Sequence, residues 1–273
     1  MKSPEQLPEY EAPPVVEVAL SVRFDAVLGL SAPQMGVLWS SSYRAEFPNI
    51  EQQPPIEPAV EHFGGPPPPF SLKLEAGMPA PRFWFVNSNG SQLIQLQQNW
   101  FAFNWRRRTP DAAEYPRFSS VKDSFQRELQ CLNEFVTNEG FGKIQPEQCE
   151  VAYVNHVTRG DSWESLGQLD RVLRIFGSTH EFLPEPEEAS LDAHYVIQSG
   201  DRPIGRLHVG ARPLYKLENQ EPIFQLTLTA RGRPESQTVD AVFDFLELGH
   251  EWVVRGFTAV TTDDAHRAWR RTR

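Results

Sequence analysis

The chain has 273 residues, 40% hydrophobic, 11% aromatic and 23% charged, with a formal net charge of −10 at pH 7. That length buries a sizeable core as one large domain or two ordinary ones, and no apolar run approaches the roughly 18 residues that span a bilayer. Residues 1–148 carry 12 basic and 17 acidic side chains and residues 149–273 carry 14 and 19, so neither half is the basic domain that nonspecific nucleic-acid binding draws on.

The N-terminal MKSPEQLPEYEAPP has one lysine followed by acids and prolines, where a secretory signal needs a basic end and an apolar stretch. The expectation is a cytoplasmic protein with no membrane association. The first periodic segment is VVEVALSVRF at 15–24, whose Val16, Val18, Leu20 and Val22 share one face of a strand. Ser31 then reads as an N-cap, with Pro33 in the first turn of a helix that carries Met35, Leu38, Trp39 and Tyr43 and stops by Phe47-Pro48. Residues 48–81 are proline-rich, including Pro54-Pro55 and Pro66 to Pro69. They read as an extended connector with one short strand over Phe70, Leu72 and Leu74.

From Arg82 the pattern is β: RFWFV, then LIQLQ, then WFAFNW, with Asn89-Gly90 between the first two as a hairpin signal. Phe118, Val121, Phe125, Leu129, Leu132 and Val136 follow helical spacing. Ser120 and Asp123 resemble a capping box there, and Gly140 a C-terminal stop. The order then returns. CEVAYVNHVT at 149–158 is a strand, and Trp163 to Phe176 reads as a helix. Leu191–Gln198, Gly205–Lys216 and Pro222–Arg231 read as three strands. Thr238 caps a last helix ending near Arg255-Gly256. The predicted fold is α+β: a duplicated β-α-β(3-4)-α unit with pseudo-twofold symmetry, its antiparallel sheets carrying helices on one face. The units are residues 1–147, with the proline-rich insertion 48–81, and residues 148–273, with a basic tail.

This order is similar, at the level of fold, to the TATA-binding-protein-like architecture and the gyrase-inhibitor-like duplicated folds. The segments PPVVEVALSVRFD at 13–25, LIQLQQNWFAFNWR at 93–106 and the run from Phe243-Asp244 through His250-Glu251 to Trp269 resemble a sporadically distributed family of uncharacterised bacterial proteins. The resemblance implies an accessory or defence-associated role and supplies no catalytic residue.

The densest chemistry lies at 95–108. Alternation puts Trp100, Ala102 and Asn104 on one strand face and Phe101, Phe103 and Trp105 on the other, with Gln95 and Gln97 beside the former. These amides and rings either line a groove or pack as an ordinary strand. Of the triple arginine, Arg106 and Arg108 share a face suited to clamping a carboxylate or phosphate, and Arg231 holds the corresponding place in the second half. The candidate ligand-binding set is therefore Gln95, Gln97, Trp100, Asn104, Arg106, Arg108 and Arg231. The tail HRAWRRTR reads as a solubilising end or an anion contact.

Cys131 and Cys149 read as free thiols, and no histidine has metal-ligand spacing. His250-Glu251 begins like a zinc-protease helix, but Val254 stands where the second histidine belongs. No cofactor is implied. The expected function is non-enzymatic binding, as a ligand sensor or protein-interaction adaptor, through the open sheet face or the cleft between repeats. The alternatives are an enzyme with an unrecognised active site and nucleic-acid contact through the arginine clusters. The partner is a small molecule or protein of unknown identity.

Overall fold

The computed structural model describes residues 6–63, 81–108, 115–160, 162–174, 186–216 and 219–273. It has mixed helix and strand around one antiparallel nine-stranded sheet. The strands are β1 (Val15–Phe24), β2 (Asn49–Gln53), β3 (Arg82–Val86), β4 (Gln92–Gln97), β5 (Trp100–Arg106), β6 (Pro146–Thr158), β7 (Leu191–Ser199), β8 (Arg202–Tyr215) and β9 (Pro222–Gly232). Their order across the sheet is β2-β3-β4-β5-β1-β6-β9-β8-β7. β1 and β6 pair antiparallel at the centre, with Leu20 opposite Val151 and Val22 opposite Cys149. The boundary at 147/148 thus falls inside β6.

Alternation divides the sheet into two unlike faces. Leu20, Phe103, Ile94, Val151 and Ala230 lie in register across the middle strands and are fully buried. On them pack two long helices, α2 (Arg117–Asn138) and α3 (Val239–Val260). Phe125 of α2 meets Phe101 edge to face at 5.6 Å, and α3 comes close at Gly249, where an added Cβ would stand 2.9 Å from Val151. α1 (Ala32–Leu38) runs directly into a π-helical turn, Trp39–Tyr43. The turn is anchored where the Tyr43 hydroxyl donates to the Glu128 carbonyl of α2 at 2.9 Å.

Several sequence expectations are met and others corrected. The Asn89-Gly90 turn joins β3 to β4, with Gly90 at φ +72°, and Gly140 ends the α2 region at φ +72°. Thr238 caps α3 by accepting from the Ala241 amide at 3.3 Å. α2, however, begins at Arg117 with Pro116 as N-cap and no side-chain cap, so Ser120 and Asp123 lie inside it and form no capping box. α3 continues past Arg255-Gly256 to Val260. The predicted helix over 163–176 is, among the described residues, only a 3-10 turn at Leu169–Arg171. Its apolar residues Trp163, Leu169 and Leu173 are buried all the same, so the spacing reports burial without a helix. The connector holds an unforeseen edge strand, β2, while the predicted strand over Phe70–Leu74 lies outside the described residues.

The C-terminal tail is not a frayed end. Thr262 caps a short α4 (Asp263–Ala268) by accepting from the Ala265 amide at 3.3 Å. Beyond it Trp269 is buried, its ring 5.0 Å from Phe257. The last residues run beside the N-terminal segment: the Glu11 amide donates to the Arg270 carbonyl at 3.1 Å and the Thr272 amide to the Glu9 carbonyl at 2.9 Å.

Candidate functional site

The face away from α2 and α3 is polar, and the register sets its side chains in rows. One row runs Gln97, Trp100, Arg23, Gln148 across β4, β5, β1 and β6. The next runs Trp84, Gln95, Ala102, Ser21, Glu150, Arg231, Arg206 from β3 to β8. Of the sequence-predicted set, Gln95, Gln97, Trp100, Asn104, Arg106 and Arg231 all share this face, whereas Arg108 lies beyond the end of β5, exposed beside Gly90.

Gln95 and Asn104 bond to each other, and Gln97, Arg106 and Arg231 find partners elsewhere in the chain. Arg82 donates to Gln95 Oε1 at 2.8 Å, Gln95 Nε2 to Asn104 Oδ1 at 2.8 Å, and Asn104 Nδ2 to Glu17 Oε1 at 2.6 Å. Gln95 and Asn104 are buried, so the chain satisfies groups that would otherwise be costly to bury. Arg106 donates to the Gly90 carbonyl at 3.0 Å and lies over the Trp84 ring at 5.8 Å, with Arg82 over the same ring at 5.5 Å. Arg231 ion-pairs with Glu150 at 2.6 Å. These arginines are already engaged by carboxylate, carbonyl or ring.

The face is also covered by its own chain. Residues 54–63, the described part of the proline-rich connector, cross it as a strap. Gln97 holds both the N–H and the C=O of Ile56 at 3.0 Å. Gln148 accepts from the Glu61 amide at 2.7 Å and donates to the Ala59 carbonyl. Glu61 is 4% exposed and receives Arg206 at 2.5 Å, His208 Nε2 at 2.5 Å and Arg231 at 3.4 Å. Burial alone would raise the Glu61 carboxyl, but the hydrogen bonds from Arg206 and His208 and the nearby positive charge bring it below the usual carboxylate range. Beneath the strap lies a small cavity of about 190 Å³ that includes Trp100, Arg23 and Arg231. The open face of the sequence expectation is therefore partly closed.

A larger cavity of about 520 Å³ lies on the helical side, where the halves meet. Its floor is Val15 of β1, Tyr153 and Asn155 of β6 and Leu228 of β9. Phe118 and Ser119 of α2 form one wall, and His250, Val253, Val254 and Phe257 of α3 the other. The N-terminal residues Gln6–Tyr10 and Pro13 close one side. The helices touch where the Phe118 and His250 rings stack at 3.8 Å and Lys122 ion-pairs with Glu247. Tyr10, held to the Thr258 hydroxyl at 2.9 Å, packs edge-on against Phe257 at 5.4 Å.

The lining is mainly apolar but also includes the charged Glu9, Arg117, Glu247 and Arg273, and a hydrogen-bonded chain of neutral groups enters it. The Tyr115 and Tyr153 hydroxyls are 2.8 Å apart, and Tyr153 is 3.1 Å from His250 Nδ1. Burial pushes the Tyr115 hydroxyl up to about 12 and Tyr153 well above its usual value. Burial, helped by the Lys122 charge, brings His250 down to about 4. All three are neutral at pH 7. With the proton on His250 Nε2, Tyr153 donates to Nδ1 and Tyr115 to Tyr153; the other tautomer reverses both bonds. Tyr115 thus presents a donor or an acceptor to the cavity. Sequence reasoning named the cleft between repeats in general terms but none of these residues, because they come from three separate segments; the one available signal was a histidine on the apolar-rich helix α3.

Among the described residues no group of histidine, cysteine or carboxylate side chains is placed to hold a metal ion. No helix there is long and apolar enough to cross a membrane. No family model, curated protein or solved structure matches the chain.

Proposed function

We propose that this chain is a non-enzymatic binding protein, a sensor that takes a small, mainly apolar ligand in the cleft between α2 and α3. The carrying observation is the cavity of about 520 Å³. Its volume is in the range of small-molecule sites, and its lining combines apolar walls with a few convergent polar groups, as such sites do. The Tyr115–Tyr153–His250 chain supplies orientation. All three groups stay neutral well to either side of pH 7, the tyrosines because burial raises them and His250 because burial lowers it, which suits recognition better than proton transfer, for which a group titrating near the working pH is needed.

The duplicated scaffold belongs to the same reading. The halves order their strands as β3-β4-β5-β1 and β7-β8-β9-β6, each followed by a long helix, and a pseudo-twofold between β1 and β6 would bring the cleft onto its axis. The pairing of Arg82, Arg106, Arg206 and Arg231 with groups of the chain itself weighs against nucleic-acid contact through this face, since such contact needs cations free to displace counterions. An accessory role in a bacterial cytoplasm, as the family resemblance implies, fits a sensor.

Titration with 1-anilinonaphthalene-8-sulfonate, an apolar dye with one anionic group, tests the cleft. Saturable fluorescence enhancement is expected, weakened at least tenfold, about 1.4 kcal/mol, by Val254→Trp, which fills the space from α3. Dye binding that is absent, or unchanged by that substitution, contradicts the proposal.

A further inference from the structure

We propose that the polar sheet face is a docking groove for an extended, proline-spaced segment carrying a glutamate, that residues 54–63 occupy it in cis, and that a partner protein's segment of the same chemistry takes their place.

The contacts that hold the strap read backbone and one carboxylate. Gln97 grips the N–H and C=O of Ile56, and Gln148 grips the Ala59 carbonyl and the Glu61 amide. Arg206 adds the His62 carbonyl at 2.8 Å. Pro54, Pro55, Glu57, Ala59 and His62 are exposed; Pro58 and Glu61 are the buried positions. A groove of this kind accepts other sequences, provided they stay extended and place a carboxylate in the Arg206/His208/Arg231 nest.

The spacing fits the sheet. Gln97 on β4 and Gln148 on β6 are three inter-strand steps apart, about 14 Å at about 4.8 Å per step. Ile56 to Glu61 spans about 15 Å at about 3.1 Å per residue in polyproline geometry. Proline at 54, 55 and 58 stiffens the segment before it docks and lowers the entropy lost on binding. Few of its side chains are buried, so the strap is held by a small number of polar bonds that a competing segment reproduces bond for bond. Proline-rich extended segments and acidic motifs are both known kinds of recognition element, the latter read by arginine clusters.

The test uses the full chain and a fluorescein-labelled synthetic peptide of residues 52–63, QQPPIEPAVEHF. Glu61→Ala in the chain weakens the strap and leaves the groove intact. Its amides at positions 56 and 61 are expected to exchange with deuterium faster than in the wild type. The variant chain should bind the peptide, and the wild-type chain at least tenfold more weakly, because the tethered strap competes at high effective concentration. A peptide with Glu61→Ala, or an added Arg206→Ala in the chain, should abolish binding. If Glu61→Ala does not fold, Ile56→Pro, which removes the N–H held by Gln97, weakens the strap from its other end and is read in the same way. A strap that stays protected in the weakened chain overturns the proposal, as does a released strap with no peptide binding. Dimerisation by exchange of straps would also overturn it, making a second copy the occupant.

Discussion

Phe103→Ala is expected to cost about 4 kcal/mol of folding stability, the range for deleting a fully buried aromatic side chain, with Phe101→Ala close behind. Phe103 is 0% exposed. It stands opposite Leu20 of β1 and Ile94 of β4, and Phe47 closes over it edge to face at 6.3 Å. The surrounding strands cannot collapse into the space it would leave without breaking their register. Trp100→Ala, three residues earlier on the polar face, removes a half-buried ring beside the small cavity under the strap and should cost less than about 2 kcal/mol. Urea unfolding along β5 should therefore show losses alternating with period two. Equal losses at Trp100 and Phe103 would mean that the two faces are not as different as the register requires.

Acidification supplies the second large effect. His250 stacks on Phe118 between the two long helices, its pKa lowered to about 4, chiefly by burial, against an ordinary 6.5. The unfolded chain takes up a proton below about pH 6.5 that the folded chain refuses until about pH 4. The stability owed to neutral His250 is therefore complete above pH 6.5 and is lost as pH falls through that window. The loss amounts to roughly 3 kcal/mol at about 1.4 kcal/mol per pKa unit. In His250→Phe, which keeps a ring against Phe118 and cannot titrate, the decline between pH 6.5 and 4 should shrink by that amount. Urea midpoints at half-unit pH steps measure it. Glu61, whose pKa is lowered, acts in the same direction but only as pH falls from the ordinary carboxylate value through its own, so its contribution separates at the acid end. An unaltered slope in His250→Phe would show that the imidazole is not held neutral.

Much of the scaffold was legible because burial imposes its period on the sequence. Phe118 to Val136 turned one face to the sheet and gave α2, and the alternation of Trp100, Ala102 and Asn104 with Phe101, Phe103 and Trp105 placed the two faces of β5 correctly. Signals failed where burial and secondary structure part company. Trp163, Leu169 and Leu173 are spaced like a helix yet are buried from a largely irregular segment, and β2, with the sequence NIEQQ, is an edge strand without a buried side chain. The polar residues chosen at 95–108 do share a face, but most are occupied by one another or by the strap, whose path no local pattern announces. The cleft was least legible. Tyr115, Tyr153 and His250 are separated by 38 and 97 positions and meet only because β6 runs beneath α3 while Tyr115, just before α2, reaches across to Tyr153.

Native mass spectrometry of the chain purified from its own host tests the central claim most directly, with Val254→Trp purified in parallel. The cleft account predicts a small-molecule mass that accompanies the wild-type chain, disappears on denaturation and is absent from the variant. An adduct carried equally by both, or none on wild-type chain kept at native pH and low ionic strength, would contradict it.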